Sequence, residues 1–494
     1  MDDGDLRELT IDVFHGRLRR GELTVEAVVS GYLDRIDRID QSGPALNAIV
    51  TLNEAAIERA KELDTAFEND GFVGPLHGVP MLIKDQAMTA GLRTTFGSEA
   101  FAEYVPDSSA RIVELLESAG AVIVGKTNLP DFAAGFVGYS SAGGQTHNPY
   151  DRSRDSGGSS AGTGAGIASN LSLAGIGEDT GGSIRVPASF CNLFGIRVTT
   201  GLISRSGLSP LVAEQDTPGP MCRTVSDLAR ILDVIVGFDP DDEATAVHAN
   251  WNPDPSFVDA LDETALEGAR IGVLRAAFAD GDEPRITAVN ETIEGALDAI
   301  EAAGATLVDP IEIEDLESFL DETSLYGLVA KRDLNAFFDG LSDPPVGSFE
   351  EIYERGAYHE ALEHVQTIAD APADPSGDRE YWWRLARQDA FRRRIQHTLA
   401  ADGLDAIAFP DVQVLPPEFE GYHTGELTRA DVPTNTFIAS QSGCPAISVP
   451  AGFSDDGVPI GLELLGSPFS DRSLVALAAS YESHTDTRRP PELR

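Results

Sequence analysis

Positive charge is scarce in this 494-residue chain: 36 lysines and arginines stand against 81 aspartates and glutamates, a net charge of −45. Lysine occurs only at Lys61, Lys84, Lys126 and Lys331. Such a chain repels phosphate backbones, so no direct nucleic-acid binding is expected. Its acidic residues run along the whole length, as in "DPDDE", rather than gathering in a tail. This suits a solvated, salt-tolerant surface of the halophile type, with an acidic docking face for a basic partner as the alternative. Cysteine is equally rare, and Cys191, Cys222 and Cys444 fall at unrelated spacings that give neither a disulfide framework nor a zinc site. The nine histidines do not pair at ligand spacing; His359 and His364, five apart, would face different sides of a helix. No metal and no cofactor is therefore expected. No apolar run reaches the ~18 residues of a membrane span. "MDDGDLREL" has neither the basic start nor the apolar stretch of a secretory signal, so a soluble, cytoplasmic protein is expected.

What is present is a large core: 42% of the residues are hydrophobic, which argues against disorder. "ELTVEAVVSGYLDRIDRID" and "NEAAIERAKELDTAF" have helical periodicity, with Thr24 and Asn53 as caps. "VPMLIKD" and "AVIVGKT" read as strands around a capped helix, "SSARIVELLESAG", ended by Gly120. "ARIGVLR", "PRITAVNETIEGALDAIEAAG" and "ATLVDP" repeat the alternation, which predicts an α/β fold: one large domain with a central mixed sheet covered by helices on both faces. Gly157–Gly182 is rich in small residues, yet too aliphatic for a linker, and is expected to form a buried helix and strand. The expected division is N-terminal helices over 1–73, a core over 74–238, a connection and βαβ unit over 239–315 that begins with the surface stretch 239–256, a helical excursion over 316–400 able to cap a pocket, and closing strands and a helix over 401–494.

Two motifs match on paper and fail on mechanism. "GAVIVGKT", Gly120–Thr127, satisfies the phosphate-binding pattern G-x-x-x-x-G-K-S/T, but its middle residues are themselves the strand and a proline follows. Lys126 is then structural. "GSSAG", centred on Ser160, matches the nucleophile elbow G-x-S-x-G, but no apolar strand leads into it. "GTGAG" is an incomplete dinucleotide signature.

"GEDTGGSIRVPASF" sets Ser183 behind two glycines, with no histidine between His147 and His248 to take its proton. A serine hydroxyl needs a base within hydrogen-bond reach. Lysine serves if burial lowers its pKa from ~10.4 towards ~7.5, about 4 kcal/mol of differential interaction. Lys84, at the end of the apolar run "GVPMLIKDQA", is the candidate.

These stretches, with "PLHGVPMLIKD", "VGKTNLPDF", "GGSSAGTGAG", "PGPMCRTVSDLARILDVIVG" and "CPAISVPAGFSDDGVPIGLELLG", resemble successive blocks of the amidase signature family over most of the chain. The resemblance implies a Ser–cis-Ser–Lys triad of Ser183, Ser159 and Lys84. Ser183 would attack an amide carbonyl, and Ser159, after a cis peptide, would relay protons to Lys84. It also implies an oxyanion hole of the backbone N–H groups of Thr180, Gly181, Gly182 and Ser183. Ser160 is expected to hydrogen-bond within the site, and Asp179 and Arg185 to form an ion pair that pins the loop. The chain departs from the family pattern at Glu178, Asn192, Arg197 and Val198, none of which is expected to touch the triad.

The function implied is hydrolysis of a carboxamide to carboxylate and ammonia. The alternative is the glutaminase subunit of a tRNA-dependent amidotransferase. "YWWRLARQDAFRRRIQHTL" stands where such subunits carry a basic "EVKRR"-like motif, and resembles the peptide-amidase and general amidase branch. The partner is then a small-molecule or peptide amide, with no membrane; a homodimer is left open. The loop near Met88, the region after Asp216, and the aromatics of "SLYGLVAKRDLNAFF" and "EYWWRL" are candidates for the pocket wall, core packing being the equal alternative for the aromatics.

Overall fold

Short aliphatic runs bounded by glycine, proline or serine become strands, buried on both faces in the middle of the sheet and partly exposed at its edges, and these join into a single sheet. The computed structural model describes residues 3–252 and 254–493. Eleven strands form this sheet. In chain order they are β1 (Ile49–Leu52), β2 (Pro80–Lys84), β3 (Val122–Thr127), β4 (Ala174–Asp179), β5 (Phe194–Arg197), β6 (Thr217–Cys222), β7 (Arg270–Val273), β8 (Thr306–Val308), β9 (Ala406–Pro410), β10 (Ala446–Phe453) and β11 (Pro459–Leu465). Their spatial order is β1-β3-β2-β4-β6-β5-β10-β11-β9-β7-β8. The β3-β2-β4 and β9-β7-β8 groups are parallel and the remaining pairings antiparallel, so the sheet is mixed, as the alternation of elements predicts. No helix among the described residues is long and apolar enough to cross a membrane.

Register decides where the site falls. β2 and β4 run parallel with Ile83 opposite Ile176, so Lys84 at the end of β2 comes level with Gly177 and Glu178. The helix Ala161–Ala168 packs across these strands and is buried throughout. Its small residues are a packing requirement. A Cβ on Gly162 would lie 2.1 Å from the Ala48 carbonyl oxygen and 2.5 Å from the Asn128 nitrogen, both backbone atoms. Gly162→Ala is therefore expected to destabilise the fold by about 3 kcal/mol, the upper range for overpacking, as a lowered midpoint in denaturant unfolding. An unchanged midpoint would mean that this helix can slide.

Local details differ from the sequence reading. Thr24 caps its helix by accepting the Ala27 N–H at 3.1 Å. The next helix begins at Ala56, not at Asn53, whose side chain instead accepts the Ala55 N–H and ties the turn to β3 through the Ile123 carbonyl. The helix Arg111–Ser118 has no side-chain cap, because Ser109 accepts the Ala90 N–H instead. Lys126 is buried on β3, 3.0 Å from Asp85 Oδ1 and bonded to the Ala87 carbonyl, so the phosphate-binding pattern at 120–127 is core strand.

The segment 316–402 holds five helices, Leu316–Thr323, Tyr326–Asp339, Phe349–Arg355, Glu363–Asp370 and Arg379–Asp402. Phe338 and Phe349 pack against Phe101 and Phe132 in a second apolar core beside the sheet. Met88 packs there too rather than lining the cavities described below. Trp382 and Trp383 are exposed, at 56% and 46%, so this tryptophan pair is neither pocket wall nor core. The helix carrying them turns Tyr381 inward, toward Glu214, and leaves the next two positions facing solvent.

Candidate active site

Lys84 is 1% exposed, and its Nζ donates to Ser159 Oγ at 2.7 Å and to the Glu178 carbonyl at 3.1 Å. Burial lowers its pKa, against the pull of Glu178. Ser159 follows a cis Gly158–Ser159 peptide. The position before it must be glycine, since a Cβ on Gly158 would sit 2.5 Å from the Val137 carbonyl oxygen. Ser160 stitches three segments together. Its N–H donates to the Ser183 carbonyl at 3.1 Å, and its hydroxyl bonds both the carbonyl and the N–H of Glu178.

Ser183 is buried in the turn between β4 and the helix Arg185–Phe190. The structure thus brings Lys84 and Ser159 into direct contact and holds Ser183 to them through Ser160. Among the described residues no hydrogen bond joins the hydroxyls of Ser159 and Ser183. The loop before Ser183 is held from outside. Thr436 Oγ1 donates to the Gly181 carbonyl at 2.6 Å and Gln215 Nε2 to the Thr180 carbonyl at 3.1 Å. In a trans peptide the N–H points opposite the C=O, so these bonds aim the N–H groups of Gly181 and Gly182 away from Gln215 and Thr436. Among the described residues, the N–H groups of Thr180, Gly181, Gly182 and Ser183 donate to no protein acceptor. Buried N–H groups are almost always paired, so four in succession form a ready cradle for an anionic oxygen. There is no room for side chains here: a Cβ on Gly182 would lie 1.9 Å from Thr436 Oγ1 and one on Gly181 2.4 Å from Tyr326 Oη.

Asp179 is clamped by two arginines, Arg185 at 3.0 Å and Arg197 at 3.1 Å, with all three side chains fully buried. Burial would raise its carboxyl, but the guanidiniums outweigh this and hold it down at about 2. Arg185 also reaches Glu463 Oε1 on β11 at 2.6 Å. Asp179 accepts the Ile184 N–H at 3.1 Å, so this network anchors the chain on both sides of Ser183.

One expectation needs correction. Glu178 does touch the site, with Oε2 3.4 Å from Lys84 Nζ, where the ends of the adjacent strands β2 and β4 lie side by side. Arg197 reaches it indirectly, through Asp179 and the Gln215 carbonyl. Residues that sequence reasoning missed are Thr436, Gln215 and the carboxyl of Asp216. Thr436 lies 255 residues from the glycine it holds, and no local pattern signals it. Among the described residues no group of three or more acidic, histidine or cysteine side chains is arranged to hold a metal ion.

A cavity of about 220 Å³ opens beside this loop. Phe136, Val137, Leu362 and Leu427 line it, with the carboxylates Glu360 and Glu363. Phe136 and Val137 also press on Gly181 and Gly158, so the cavity adjoins Ser159 and the N–H cradle. The described residues around it include no lysine or arginine, and one histidine, His364.

A mixed sheet with a buried lysine, a cis-peptide serine and a glycine-flanked serine defines an amide-hydrolase class of site. The chain belongs to the amidase signature family: the family model described as Amidase matches residues 27–475. It is 34% identical over 491 residues to the A subunit of glutamyl-tRNA(Gln) amidotransferase from Synechococcus sp. (strain CC9605), covering 97% of this chain and 96% of that protein. Among solved structures, the native peptide amidase from Stenotrophomonas maltophilia superposes with a TM-score of 0.86 at 32% identity, over 99% of both chains. The A subunit of glutamyl-tRNA(Gln) amidotransferase from Thermotoga maritima superposes with a TM-score of 0.75 at 27% identity, over all of both chains. The protein is an amidase-family hydrolase of carbon–nitrogen amide bonds.

Proposed function

We propose that the chain is a free-standing amidase that converts a carboxamide to carboxylate and ammonia through an acyl-enzyme on Ser183. The observation that carries the chemistry is the 2.7 Å contact between buried Lys84 and Ser159, next to the four unpaired N–H groups. Neutral Lys84 takes the Ser159 proton as Ser159 takes that of Ser183. Ser183 Oγ bonds the amide carbon, and the N–H groups of Thr180 to Ser183 hold the oxyanion. The C–N bond breaks as the proton returns along the same chain to the leaving nitrogen, which departs as ammonia. Water then attacks the ester carbon, giving a proton to the Ser159–Lys84 pair. That proton returns to Ser183 Oγ as the acyl C–O bond breaks, and the acid leaves as its carboxylate, its remaining proton passing to solvent. The relay requires the Ser159 and Ser183 hydroxyls to meet, a side-chain rotation once substrate is bound.

The cavity's character supports an amide with an apolar acyl group, neutral or cationic rather than anionic. A glutamine α-carboxylate would find no lysine or arginine among its described lining residues, and two carboxylates instead. The similarity to peptide amidase over the whole fold points the same way. The second reading, a glutaminase subunit of an amidotransferase, is favoured by the sequence similarity to the amidotransferase subunits.

Ammonia release by the purified chain, from aliphatic, aryl and peptide C-terminal amides and from glutamine, separates the two. Turnover of non-glutamine amides by the chain alone is expected. Turnover of glutamine alone, or none without a partner, would establish the second reading. Because the surface is so acidic, the assay is run in low salt and in molar KCl. A salt-adapted surface predicts higher activity in KCl.

A further inference from the structure

The mechanism above uses Lys84 as a base but leaves the carboxyl beside it without a role. Glu178 meets Lys84 twice, through its backbone carbonyl at 3.1 Å and its Oε2 at 3.4 Å. Its other oxygen, Oε1, is 3.3 Å from the Thr180 hydroxyl, and that hydroxyl donates to Asp216 Oδ1 at 2.5 Å. A hydroxyl has one proton to give. With Asp216 as its acceptor, Thr180 meets Glu178 favourably only when Glu178 itself carries a proton, so the two carboxyl groups compete for protons across Thr180. Both line a cavity of about 350 Å³ with Gln86 and Arg205, which connects this buried pair to solvent.

We infer that Glu178 is a positioning residue that holds the Lys84 amine against Ser159 and, in step with Asp216, sets the pH at which that amine becomes free to act as base. This inference rests on the reading of Lys84 as the base. The charged groups around Lys84 are Glu178 and Asp179 on β4, Asp216 on the 211–216 loop, and Asp85, next along the chain. Asp179 is neutralised by Arg185 and Arg197, and Asp85 by Lys126. That leaves Glu178 as the acid in direct contact. Burial pushes both carboxyls up; Glu178 raises Asp216 further, while Lys84 pulls Glu178 back down. Glu178 faces the amine the chemistry needs, and Asp216, which also accepts the Leu211 and Val212 N–H groups, meets it across Thr180.

The sign is fixed by charge. An ionised Glu178 favours protonated Lys84, so it moves the acidic limb of kcat/KM to higher pH. Glu178→Gln keeps the shape, removes the charge, and is expected to shift that limb down by about one pH unit or more, the usual effect of an opposite charge within contact distance. Rates are measured from about pH 5 to about pH 10 at constant salt, on the amide that the wild type turns over best. Glu178→Thr, which shortens the side chain and also removes the charge, takes its place if Glu178→Gln does not fold. A limb that stays put in a folded, active variant would overturn the inference while leaving the triad intact. Lys84→Ala is run in parallel: if it retains activity, the base assignment falls and this inference with it.

Discussion

Replacing Ser183 by alanine is expected to lower ammonia release by about 10⁴-fold or more, with little change in the unfolding midpoint. Loss of a catalytic serine elsewhere costs about this much or more, because the remaining donors stabilise an oxyanion that no longer forms. Stability should hold because Ser183 contributes to the fold through its backbone: its carbonyl accepts the Ser160 N–H, and alanine keeps that bond. The effects of Ser183→Ala and Lys84→Ala should also fail to add, since the relay works as a unit. Ammonia release by the two single variants and the double variant, with a melt of each, checks both points. A folded Ser183→Ala protein with wild-type turnover would remove Ser183 from the chemistry.

The second large effect concerns stability. Arg185→Met is expected to destabilise the protein by about 3–5 kcal/mol at neutral pH, because it strands fully buried charge. Arg185 bridges Asp179 and Glu463, joining the Ser183 loop to β11. Asp179 keeps Arg197, whereas Glu463 loses the cation at its 2.6 Å contact. The pH dependence has a definite sign. Asp179 is held at about 2, below its unfolded value, so its contribution is present above about pH 4 and lost as pH falls through about 2. Without Arg185 the stranded carboxyls titrate higher, and acidification relieves their charge. The deficit of the variant should therefore shrink between about pH 7 and about pH 5. Denaturant unfolding of both proteins at the two pH values measures this. A deficit that stays the same at both pH values would mean that the arginine acts by packing alone.

Much of this was legible locally. The alternation of aliphatic runs and helical periods points to a mixed α/β sheet, and the buried Ala161–Ala168 helix and β4 follow from a glycine-rich stretch too aliphatic for a linker. Failures came where one residue had several local uses. Ser109 looks like a helix cap but serves the Ala90 N–H, and Asn53 looks like the cap of a helix that starts at Ala56. The aromatics split for a reason invisible in composition: Phe338 faces the second core while Trp382 and Trp383 face water. Helical phase relative to a partner, not residue type, decides burial.

What the sequence by itself determined is the candidate reactive set. Ser183 without a nearby histidine, Lys84 in a chain nearly free of lysine, and Ser159 behind two glycines are local facts, since each depends on a short stretch of chain. What only the tertiary structure decided is how that set is held and tuned. The pairing of β2 with β4 brings Glu178 and Lys84 to neighbouring strand ends, Thr436 reaches back to orient the Gly181 peptide, and Arg185 ties the loop to a strand near the end of the chain. Each of these contacts is made when distant segments pack together. Packing answers to the volume, charge and hydrogen bonding of all the segments at once, and no single stretch carries that sum.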